Sequence, residues 1–172
     1  MTTTKSIQKI TLLGVLTAMQ IILGSLLSIQ FLTTKIAFAF IIIAITARLF
    51  SPLVTAGSSA LAYFLGMLLF PKFTFFPGFI LTAFLTGWAF GIAFQHRTSL
   101  PRILIVNFIV LFIFNLFLNS LWLHMMYMTP WSALLTTRFI QEVITFVIYT
   151  VALVMLFKIP ILNQLTNRFH EN

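Results

Sequence analysis

The sequence predicts an all-α integral membrane protein, one bundle of about six transmembrane helices filling residues 1–172, and three observations carry that prediction. Hydrophobic residues make up 60% of the chain, and Phe alone occurs 21 times. Charged residues make up only 7%, whereas a soluble domain carries roughly a quarter because its surface must face water. The apolar residues fall in runs near the ~20 residues that a helix needs to cross a hydrocarbon core. Most of this surface therefore meets a lipid bilayer, in keeping with a mean hydropathy of +1.10.

Taken in order, the first span covers about Ile7 to Ile29. Lys5 and Lys9 stand before its apolar stretch as cations stand before a secretory signal core, but that stretch, Ile10 to Leu27, is too long for a signal core and no small-residue cleavage site follows, so it reads as a retained span. The second, about Lys35 to Phe50, is short. Ser51-Pro52 breaks the chain and opens the third, which ends near Phe70. Pro71 and Pro77 bracket a loop, Lys72 to Phe76, and the fourth span runs from about Gly78 to Phe94. The polar run Gln95-His96-Arg97-Thr98-Ser99 separates it from the fifth, about Pro101 to Trp122. Thr129-Pro130 then starts the sixth, about Trp131 to Lys158.

Orientation follows from the cations. With the N-terminus in the cytoplasm, an even number of spans returns the C-terminus to the same side. Lys5, Lys9, Arg48, Arg97, Arg102, Lys158 and Arg168 are then inside, and only Lys35 and Lys72 fall in outer loops. The net charge of +8 is thus a topology signal. Basic residues scattered singly between apolar runs exclude a nucleic-acid face.

The chemistry available is narrow. Cysteine is absent, which excludes disulfides, thiolate metal sites and thiol nucleophiles. The only acids are Glu142 and Glu171. An intramembrane enzyme needs a nucleophile–base pair or a carboxylate dyad at membrane depth, and neither is offered. No Walker A sequence, Gly-rich phosphate loop or HExxH pair is present, so neither ATP hydrolysis nor a metal site belongs to this chain. An inverted repeat is not discernible.

The unusual residues gather towards the outer half. Arg138 lies about two turns into the last span, with Glu142 one turn later on the same face. A lone mid-membrane Arg costs roughly 2.5–3.5 kcal/mol on insertion scales. Either the two residues neutralise one another structurally, or Arg138 faces an outward cavity and offers its planar fork of donors to a carboxylate or polar heterocycle. Asn115 and Asn119, one turn apart late in the fifth span, either hydrogen-bond a neighbouring helix or supply the paired donor and acceptor that a flat polar ring requires. Trp122, His124, Tyr127 and Trp131 follow in the outer connection, where aromatic residues ordinarily form the interfacial belt. His124 has no second ligand near it to hold a metal. Phe73, Phe75 and Phe76, in a proline-bounded outer loop beside Lys72, are placed to lid a pocket and stack on an aromatic ligand. Gly14-Val15-Leu16-Thr17-Ala18 carries small residues four apart, which either pack within the chain or form a docking stripe for a partner subunit.

Several of these segments together resemble a known family. Phe76-Pro77-Gly78-Phe79-Ile80-Leu81-Thr82-Ala83-Phe84-Leu85-Thr86-Gly87 resembles the loop and fourth helix of the folate-specific substrate-binding subunits of energy-coupling factor transporters. Asn119-Ser120-Leu121-Trp122-Leu123 is similar to their Asn-x-Leu-Trp-Leu segment, and Arg138-Phe139-Ile140-Gln141-Glu142 to their Arg-x-x-Lys-Glu run. Gly14 and Ala18 correspond to the small-residue face of their first helix. The resemblance covers most of the chain. It implies a bacterial cell-membrane subunit that binds folate or a related vitamin at its outer face, with Arg138, Asn119, Trp122, Lys72, Phe75, Phe76, Asn115, Gln141 and Tyr127 around the ligand. It also implies docking through Gly14 and Ala18 on a transmembrane coupling subunit that works with two ATPase subunits, so that ATP is consumed by the partners and no cofactor is held here. Gln141 stands where those relatives carry Lys, and Gly24-Ser25 stands where many carry an Arg. Both departures remove positive charge that folate's carboxylates would meet. A subunit for another vitamin, and an accessory subunit with no ligand of its own, are the competing readings.

Overall fold

The computed structural model describes residues 2–26, 28–31, 34–71, 74–96 and 98–159. Of the residues singled out above, Leu27, Lys72, Phe73, Arg97, Arg168 and Glu171 lie outside the described residues. Helix α1, Thr2–Ile21, continues into a π-helical turn, Ile22–Leu26. Strands β1, Ser28–Phe31, and β2, Thr34–Ala37, pair antiparallel with Ser28 opposite Ala37. Then come α2, Ala39–Leu49, α3, Pro52–Leu69, and α4, Pro77–Phe94. A continuous helical rod, Leu100–Tyr127, comprises α5, Leu100–Phe108, a π-helical stretch, Ile109–Leu118, and α6, Asn119–Tyr127. The last helix is α7, Trp131–Lys158.

The helical membrane class holds, with three adjustments. Among the described residues, five helices are long and apolar enough to cross a bilayer, and α2 is a shorter apolar helix. The short hairpin takes the ends assigned to the first two spans: Ile29 and Lys35 stand in strands, not helices. Its cause is a run of β-favouring residues, Ile29, Phe31, Thr34 and Ile36, apolar enough to read as continued span. The fifth span runs past Trp122 to Tyr127, so Trp122, His124 and Tyr127 belong to its last turns rather than to a connection. That helix stops at Met128, whose φ of 52° is the left-handed cap conformation and whose N–H donates to the His124 carbonyl.

Proline opens α3, α4 and α5 in their first turns, where its missing N–H costs nothing. The closest packing is between α3 and α4. Gly87 and Gly91, one turn apart on α4, let its backbone lie against α3: a Cβ at Gly87 would stand 2.8 Å from the Thr55 carbonyl oxygen, and one at Gly91 2.5 Å from the Cα of Pro52. At one end of the bundle, the Arg48 guanidinium at the close of α2 donates Nη1 to the Phe94 and Gln95 carbonyls, 3.3 Å each, and caps α4. Phe90, Phe94, Leu111 and Leu153 form a fully buried core towards that end. The opposite end holds the hairpin, the segment before α4 and the α6–α7 connection, and there the bundle opens.

Candidate functional site

Between the two halves of the bundle lies a cavity of about 500 Å³, within the range of small-molecule sites. Its lining draws on α1, α2, α3, α4, the long rod and α7, together with Ala37 at the base of the hairpin. Arg138, Glu142 and Tyr149 share one face of α7 and reach it on successive stretches of the helix. Asn115, Asn119, Leu123 and Tyr127 enter from the rod. Gln20 and Ser25 come from the first helical segment, Ser59, Tyr63 and Phe70 from α3 and its end, and Phe79, Thr82 and Thr86 from α4.

Arg138 and Glu142 are the charged residues of that lining among the described residues. They are 6% and 3% exposed, so neither is neutralised by bulk water. One turn apart on the helix, the two attract each other electrostatically, but no hydrogen bond between them is among those of the described residues. Arg138 Nη1 instead donates to Ser120 Oγ at 3.2 Å, and its Nε–H has no partner. A guanidinium taken out of water with one weak neutral acceptor is under-satisfied. Asn119 Nδ2 donates to Asn115 Oδ1 at 3.3 Å, which leaves Asn119 Oδ1 without a partner. The two asparagines therefore bond each other along one helix rather than fastening a neighbour. The result is a guanidinium, a carboxylate and two amide side chains around one apolar-walled space, with Arg138 Nε and Asn119 Oδ1 themselves sealed from it.

The aromatic residues act from behind the wall. Trp122 does not line the cavity. Its Nε1–H donates to Thr82 Oγ1 at 3.0 Å, and Thr82 does line it. Gly78 leaves room for the indole, since a Cβ there would meet Trp122 Cδ2 at 2.5 Å. Phe76 packs between Trp122 and Phe79, with ring centroids 5.7 and 6.2 Å away. Phe75 lies edge-on to Phe64, half exposed. Neither Phe75 nor Phe76 reaches the lining, so the expected aromatic lid is a buttress among the described residues. Gln141 also stays outside it, because it points about 60–100° around the helix axis from Arg138 and Glu142. Gly14 and Ala18 are exposed on the bundle surface, and nothing lies within 4 Å of a Cβ built at Gly14, so that stripe does not pack within the chain. His124 Nδ1 lies 2.8 Å from the Thr129 carbonyl, and no cluster of metal-ligating residues occurs among the described residues.

Sequence reasoning missed Gln20, Ser59, Thr82 and Tyr149 as wall residues. Tyr149 stacks on Phe40 with centroids 3.7 Å apart, and its hydroxyl donates to the Ala37 carbonyl at 2.8 Å, tying α7 to the base of the hairpin. Tyr149→Phe is expected to lower the thermal midpoint by about 2–4 °C, the equivalent of one neutral hydrogen bond worth about 1 kcal/mol in a chain of this size. Circular dichroism in detergent micelles measures it, and an unchanged midpoint would mean that water from the cavity replaces the bond.

A membrane-embedded helical bundle enclosing a partly polar cavity with an under-satisfied guanidinium defines a solute-binding membrane protein. Residues 8–161 match the family described as ECF transporter, substrate-specific component, and the chain belongs to that family. It is 33% identical over 136 residues to the folate transporter FolT of Clostridium novyi (strain NT), a match covering 78% of this chain and 79% of that one. It is also 33% identical over 142 residues to the folate transporter FolT of Leuconostoc mesenteroides, covering 78% and 76%. Among solved structures, it resembles the crystal structure of FolT bound with folic acid, with a TM-score of 0.80 and 33% identity over 84% of this chain and 89% of that chain.

Proposed function

We propose that this chain is the folate-binding subunit of an energy-coupling factor importer, capturing a folate from the outer side and delivering it inward with partner subunits. The observation that carries the reading is Arg138, buried in the cavity wall with Ser120 Oγ as its hydrogen-bond acceptor among the described residues and its Nε–H without a partner. A ligand carrying carboxylate or ring acceptors completes its hydrogen bonding. Glu142 and the Asn115–Asn119 pair complement the donors and acceptors of a flat heterocycle. Phe40 and Tyr149 supply aromatic wall for it. Trp122 reports on occupancy through Thr82. The resemblance to FolT relatives, one solved with folic acid, supports the same ligand.

The single bundle sits in a bacterial cell membrane with both termini cytoplasmic, which places Arg48 inside and the cavity mouth outside. The exposed Gly14 and Ala18 face is the docking stripe for the transmembrane coupling subunit. That subunit joins two ATPase subunits, which consume the ATP. This chain catalyses no reaction and holds no cofactor.

Folate titrated into detergent-solubilised protein is expected to quench tryptophan fluorescence saturably. No response at micromolar folate would remove this substrate. Ser25, a neutral residue in the cavity wall where the family resemblance implies an Arg, favours one second reading, the same subunit type with another vitamin. A competition panel of vitamins separates the two.

A further inference from the structure

Gln20 is the most deeply buried polar side chain of the first helix, at 3% exposure, and it lines the cavity from the side opposite α7. Helix α1 packs on α2 and α3, whereas α7 packs on α2, the rod and β2, so the cavity lies between Gln20 and Arg138. The Gln20 carboxamide is held from behind. Nε2 donates to Ser58 Oγ at 3.2 Å and to Thr46 Oγ1 at 3.4 Å. Ser58 Oγ is in turn 2.8 Å from Thr17 Oγ1, and Thr17 and Thr46 each donate to the carbonyl one turn back. This network joins α1, α2 and α3, and Thr46, Ser58 and Thr17 are all buried.

The network uses one half of the amide. The Gln20 carbonyl Oε1 has no hydrogen bond and is not among the sealed unsatisfied atoms, so it opens to the cavity that the residue lines. We propose that Gln20 is a second polar anchor for the ligand, opposite Arg138, which accepts a ligand N–H while its hydroxyl network fixes the reach of the amide. The inference deepens the proposed folate reading and rests on it. Hydroxyl partners can donate or accept, so the amide can also turn over and offer N–H groups to a ligand acceptor. Gln20 is therefore suited to a heterocycle edge that presents both kinds of group. Arg138 can only donate, and Glu142 when ionised can only accept.

A purely structural role predicts a different pattern of effects, and two variants separate the roles. Gln20→Leu removes the anchor and the network bonds together, whereas Thr150→Val removes a hydrogen bond between helices, from Asn107 Nδ2, and neither Asn107 nor Thr150 lines the cavity. Folate affinity is measured by isothermal titration calorimetry on the full chain in detergent, and the ligand-free thermal midpoint by circular dichroism. Gln20→Leu is expected to raise the folate Kd about tenfold, the loss of a single ligand hydrogen bond worth about 1.4 kcal/mol. Thr150→Val is expected to lower the midpoint but keep the Kd within about twofold. Gln20→Leu that binds folate like the parent, or a Kd shift equal in both variants, overturns the anchor. A parent protein that takes no folate overturns the folate reading itself, which is a distinct result.

Discussion

Arg138→Ala is expected to weaken folate binding by about 10²-fold while the protein still inserts and folds. Truncating one partner of a buried charged contact costs roughly 2–5 kcal/mol, and each 1.4 kcal/mol is tenfold in Kd. Insertion is not the obstacle, since removing a mid-membrane guanidinium relieves a cost of roughly 2.5–3.5 kcal/mol. Within itself the protein loses the bond to Ser120 and the positive charge beside buried Glu142, a carboxylate that can be met by a proton. Arg138→Lys retains the charge but not the planar fork, and its expected loss is smaller, about tenfold. Calorimetric titration checks both. Equal affinity in the parent and Arg138→Ala would leave the guanidinium a structural residue and remove the central support for the import reading. Glu142→Gln adds a sign test. If the carboxylate serves only to offset Arg138, its neutralisation strengthens binding of an anionic ligand; if it accepts ligand N–H groups, binding weakens.

The spans were legible because lipid offers the backbone no hydrogen bonds, so each crossing must be a helix with an uninterrupted apolar surface. Where the chain leaves that solvent, the code weakens. Ile29 and Ile36 are as apolar as their helical neighbours, yet they pair across a hairpin. The same contrast decided the site. Arg138, Asn115, Asn119 and Tyr127 stood out against an apolar background, and all four reach the cavity. Glu142 was visible too, but read as a counter-charge rather than a wall residue. Gln20 and Ser59 were hidden, because one amide or hydroxyl in a span has many packing explanations. For Trp122, Phe75 and Phe76, spacing and depth were readable but direction was not. Their rings face Thr82, Gly78, Phe64 and Phe79 instead of the cavity. Small-residue spacing carries the same ambiguity. Gly14 and Ala18 match the pattern yet face outward, while Gly87 and Gly91 make the close approach inside the bundle.

That approach carries the largest expected structural effect. In Gly91→Ala the new methyl stands 2.5 Å from the Cα of Pro52 and 2.9 Å from its Cβ, and at Gly87 it stands 2.8 Å from the Thr55 carbonyl oxygen and 2.9 Å from the Cα of Ala56. Mostly backbone and ring atoms of a helix terminus, these neighbours cannot rotate away as a flexible side chain can. Helices α3 and α4 must separate, and both contribute cavity wall, Ser59 and Tyr63 from one, Thr82 and Thr86 from the other. Overpacking costs typically 1–3 kcal/mol and sometimes more. For a chain of this length that lowers the thermal midpoint by about 5–10 °C in Gly91→Ala, and folate affinity falls with it. Gly57→Ala is the control. It lies on α3, its Cβ would meet nothing within 4 Å, and in a helix the change is expected to be neutral or to stabilise by up to about 1 kcal/mol. Circular dichroism melts of the two variants in the same detergent decide the matter. If Gly91→Ala melts like Gly57→Ala, α3 and α4 do not pack backbone to backbone, and the cavity between the two halves has a softer wall than this geometry requires.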